Sequence, residues 1–74
     1  MLNILKGHCA TSYARRLQAL EKNDECLAGY YLVSFDALVA ALTEMLNLKR
    51  RHRKSYEEVR GEMIEAGSKL YNNP

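Results

Sequence analysis

Between residues 38 and 70 one side-chain spacing repeats without a slip. Leu38, Leu42, Met45, Lys49, His52, Tyr56, Val59, Met63, Ala66 and Leu70 follow one another at alternating steps of four and three. Those steps place every member on one stripe of a helix, the seam of a coiled coil. Two members, Lys49 and His52, are polar, and both fall inside the basic run Lys49–Lys54. A loop at that run would not oblige the apolar series to resume in phase beyond it, yet it resumes at Tyr56. The spacing therefore predicts one long helix over 35–70, supported by the four-apart pairs Arg53/Glu57 and Lys54/Glu58. The counter-signal is Ser55-x-x-Glu58, a capping-box pattern that would kink or break the rod near Ser55.

The first twenty-two residues carry a second apolar face: Leu2, Leu5, Cys9, Tyr13, Leu17 and Leu20 at steps of three and four. A helix over 2–22 is expected, although Gly7 costs roughly 1 kcal/mol inside it and would favour a later start at Thr11 or Ser12. Asn23-Asp24 punctuates, since Asn tolerates the left-handed turn that ends a helix and Asp caps the next one. Residues 25–33, ECLAGYYLV, read as a short helix. Ser34 then stands as the cap of the long one, with Asp36 in its first turn.

The fold expected is all-α: an antiparallel helical hairpin in a single domain over 1–74. As one helix, 35–70 would run about 54 Å at 1.5 Å per residue, against a radius of gyration of about 11 Å for a compact chain of this length. The first helix covers about half of it. The apolar surplus calls for another chain, and a symmetric homodimer is the expected form. The interface residues on this reading are Leu38, Leu42, Met45, His52, Tyr56, Val59, Met63 and Leu70. His52 at the seam would carry a pH response, since protonation of two facing copies would loosen the dimer in acid.

Composition narrows the function. Net charge is +2, but five of eleven basic residues sit in KRRHRK, and six basic against nine acidic residues remain elsewhere, a body of −3. Six consecutive helical residues encircle the axis, so Lys49, Arg50, Arg51, Arg53 and Lys54 form a collar suited to phosphates or to an acidic partner surface. No Asn, Gln or Ser lies in the run to read base edges, and no aromatic is interleaved for stacking. Leu27-Ala28, Tyr31, Val33-Ser34 and Leu38 fall near helix-turn-helix spacing, but Leu32 replaces the turn glycine and no cation follows on the supposed reading helix.

Residues 26–48 are apolar enough to suggest a membrane span with a basic flank, yet Asp36 and Glu44 interrupt them, and no span is expected. Two cysteines sixteen residues apart make no disulfide framework, and His8, Cys9, Cys26 and His52 have no metal-ligand spacing. Neither metal nor cofactor is expected, and one small core gives little scope for a catalytic pocket. The reading is a cytoplasmic, non-enzymatic helical module: a regulator or inhibitor that occupies a surface of a larger protein. Small accessory proteins of phages and mobile elements often have this build, though no residue motif here matches a named family. The alternative is a nucleic-acid binder working through the collar.

Overall fold

A computed structural model describes residues 2–48 and 54–73, which form three helices: α1 (Leu2–Glu21), α2 (Glu25–Leu48) and α3 (Tyr56–Asn72). The all-helical class agrees with the sequence. The partition of the helices does not. Residues 25–48 make one unbroken helix through Ser34, and the expected rod over 35–70 is divided, with Ser55 in an extended backbone conformation (φ −73°, ψ 159°).

Each boundary has a local cause. Asn23 takes φ 61° and closes α1, its N–H reaching Leu20 O at 3.0 Å while Asp24 N–H reaches Ala19 O at 2.9 Å. That pair of bonds is a Schellman cap. Asp24 then turns to the next helix, its carboxylate accepting from Leu27 N–H at 3.0 Å. With α2 capped there, Ser34 has no end to serve and stays helical. At α3 Ser55 is the N-cap: its Oγ accepts from Glu58 N–H at 3.1 Å and donates to Glu58 Oε1 at 3.3 Å. Gly7 does not delay α1, which begins at Leu2.

α1 and α2 run antiparallel: Arg16 Nη1 donates to Ala28 O at 3.2 Å, and Tyr13 meets Phe35 with ring centroids 5.0 Å apart. α3 runs parallel to α1. A Cβ placed on Gly67 would lie 2.7 Å from Tyr13 Cβ and 2.9 Å from Ala10 O, and further along Tyr71 donates to Glu21. The missing side chain at 67 is what lets the two backbones approach so closely. Tyr13 touches both neighbours, and Ala10 is buried where Gly67 approaches, while Ala19 is buried on the α2 side beside Leu27 and Tyr31.

The core is Cys9, Phe35, Val39, Leu42, Leu46, Val59 and Met63, with Leu2, Leu5, Tyr13, Leu32, Leu38 and Ile64 packed against it. Phe35 joins all three helices, since Arg60 of α3 holds its guanidinium 5.8 Å from the ring centroid and donates to Asp36 at 3.0 Å. The buried Thr43 hydroxyl donates to Val39 O at 2.8 Å. The molecule measures 41 × 23 × 19 Å, with a radius of gyration of 12.4 Å. The C-terminal stretch therefore folds back on its own chain instead of extending as a rod, and the argument from its reach no longer requires a second copy.

Candidate protein-binding face

The expected seam is mostly internal. Leu42, Val59 and Met63 are buried in the chain's own core, Leu38 and Met45 are half-buried, and only Tyr56 and Leu70 remain exposed. His52 lies outside the described residues, as do Lys49, Arg50, Arg51 and Arg53 of the collar. Lys54 is described, and it is half-buried, its ammonium 2.6 Å from Glu62 of α3. One of the five collar charges is thus already matched within the chain.

The exposed apolar surface lies elsewhere. α1 and α3 both pack onto the side of α2 that carries Phe35, Val39, Leu42 and Leu46, and its opposite side stays bare. Cys26, Tyr30, Val33, Ala37, Ala41, Glu44 and Leu48 are all exposed at steps of three and four, with the exposed Ala40 beside them, and so lie on one stripe. Tyr30 is 65%, Val33 71% and Leu48 80% exposed. Single exposed apolar residues are ordinary; a file of them along one helix, broken here once by Glu44, makes a candidate interaction surface.

The sequence carried only part of this signal. Residues 26–48 are apolar almost all round, the signature of a helix covered on most sides. The chain has two other helices to supply cover, and both sit on one flank. By length and composition α2 would also cross a membrane, with a mean hydropathy of 1.6. Against that, Asp36 is ion-paired to Arg60 across the bundle and Glu44 interrupts the bare stripe.

The electrostatics are those of a bundle surface. Burial first, and then the neighbouring Asp36 charge, raise the Tyr56 phenol above its ordinary value. The hydrogen bond to Asp36 does the same for Arg60, and the bond to Glu21 does it for Tyr71. Burial pushes the Cys9 thiol up, whereas Cys26 is an exposed free thiol on the bare stripe. Among the described residues no group of three His, Cys, Asp or Glu could hold a metal ion. An open cleft of about 160 Å³ between α1 and α2, lined by Arg15, Gln18, Ala19, Lys22, Leu27 and Tyr31, contains no carboxylate or imidazole to act as a general base at neutral pH.

No protein family matches the chain, and neither curated proteins nor solved structures give a match.

Proposed function

We propose that this chain is a non-enzymatic, cytoplasmic binding module that presents the bare stripe of α2 to another protein and acts as a regulator or inhibitor by covering a surface there. One observation carries the reading: Tyr30, Val33 and Leu48 stand mostly in water along a single helical file. A partner helix laid on this file would meet large residues, Tyr30, Val33 and Leu48, on either side of a stretch of alanines, as anchors in helix-in-groove recognition. Tyr30 would supply a large, stiff contact with a polar tip. The core is saturated by the chain's own helices, and the 160 Å³ cleft lacks the acid–base pair that catalysis needs.

The test is a photoreactive amino acid placed at position 33 in cells, with position 57 on α3 as the control. Protein adducts of discrete mass at 33 and not at 57 are expected. Lipid adducts alone, or none at either position, would end the proposal. The alternative, phosphate binding by Lys49, Arg50, Arg51, Arg53 and Lys54, predicts a steep dependence of binding on salt. Lys54 is the weakest part of that reading because Glu62 already neutralises it.

A further inference from the structure

We infer that the partner held on the bare α2 stripe sets an Asp or Glu side chain into the cleft between α1 and α2. The inference rests on the reading of that stripe as a protein-binding surface, and it names the chemistry the partner must carry there.

Both helices build the cleft. Arg15, Gln18, Ala19 and Lys22 share one side of α1, and Leu27 and Tyr31 stand four apart on α2. The buried Ala19, the half-buried Tyr31 and Leu27 supply apolar surface. At about 160 Å³ the cleft is roughly half the smallest size usual for a free ligand. It suits one side chain delivered by a larger body.

Its charge selects that side chain. Arg15 and Lys22 both line the cleft, and among the described residues neither side chain has an ion pair or a hydrogen bond. The acids at this end of the bundle do not line it. Glu21 accepts from Tyr71 and Asp24 from Leu27 N–H, which leaves Glu25 as the uncommitted acid among the described residues. Arg16, beside Arg15 in sequence, is turned to Ala28 O. The lining itself therefore carries two cations and no anion. They stand seven residues apart, about 10 Å along the axis, too spread to cradle a phosphate with its double charge and three acceptor oxygens. A carboxylate needs only the guanidinium fork of Arg15, with Lys22 as a second charge.

Tyr31 joins the cleft to the stripe. Its ring meets that of Tyr30 edge-on, with centroids 5.4 Å apart, and Tyr30 is a member of the stripe. A helix lying over Cys26 and Tyr30 passes the mouth of the cleft and can lower a side chain from its flank. Glu44, further along the stripe, opposes a partner that is acidic along its whole length, so the carboxylate belongs at the cleft end.

The test places a photoreactive amino acid singly at positions 18 and 33 of the full chain in cells and sequences the joined peptides by mass spectrometry. The same protein should be captured at both positions, and the peptide joined at 18 should carry Asp or Glu within one helical turn of the link. Replacing both cations, Arg15→Gln with Lys22→Gln, should lower the yield at both positions by roughly tenfold or more. Helical circular dichroism should stay unchanged, and Lys6→Gln, towards the other end of α1, should leave the yield as it was. Capture at 33 without capture at 18 would overturn the inference and leave the binding reading standing. So would a different protein at 18, a joined peptide that lacks an acid or carries a phosphorylated residue, or yields indifferent to the loss of both cations. No protein captured at 33 would remove both.

Discussion

Two residues that look minor in composition set the tolerances of this molecule. Gly67 gives α3 its close seat on α1. An added methyl would meet Tyr13 Cβ at 2.7 Å and the Ala10 carbonyl at 2.9 Å, and the latter is backbone that cannot step aside. Gly67→Ala should therefore destabilise by about 1–3 kcal/mol despite Ala's better helix propensity. Gly61→Ala, in the same helix with open space around it, should stabilise by up to about 1 kcal/mol. Urea denaturation of the two variants reads the contrast, and equal midpoints would refute the close packing. Cys9 is the second case. It has no exposed surface, and burial raises its pKa above 9.0. The folded chain holds this proton more tightly than the unfolded chain does. Its contribution to stability is full below about pH 9 and is lost as the pH rises through the higher value of the buried thiol. The thermal midpoint should fall between pH 8 and 11, less steeply in Cys9→Ala, while Cys26 reacts with thiol reagents well before Cys9.

At the scale of the helix, the ends were the most legible part of the sequence. Asn23-Asp24 closes one helix and opens the next as those residue types suggest, and Ser55 caps α3, its hydroxyl accepting from Glu58 N–H. What misled was the heptad phase from Leu38 to Leu70. α2 and α3 pack into one core, so each must place apolar residues at steps of three and four. The stretch between Leu48 and Tyr56 happens to be seven residues long. A seven-residue interval preserves the phase whether or not it is helical, so resumption at Tyr56 carried no information about continuity. Ser34 misled for a related reason: a good cap residue marks a helix start only where no stronger cap stands upstream, and Asp24 does. Ala10 and Gly67, which meet where α3 docks, left no mark in a reading built on large apolar residues. The bare stripe was missed with them, because which flank of α2 stays uncovered depends on where α3 docks. Loss of the cap in Ser55→Ala should cost about 1 kcal/mol in the same denaturation assay, and no change would show that α3 begins elsewhere.

On the scale of the whole chain, three helices make one core, and its contacts are unevenly distributed along the sequence. The pairs 16/28 and 13/35 join α1 and α2 across a turn of three residues, whereas 10/67 and 21/71 join α1 and α3 across fifty positions or more. Closing the short turn sacrifices little chain entropy; closing the long one sacrifices more. The joint at Asn23-Asp24 thus has a consequence in time as well as in shape. The first two helices can find each other as a local event, and the third arrives last, onto a template already made. Weakening its cap should quicken unfolding and leave the refolding rate nearly untouched.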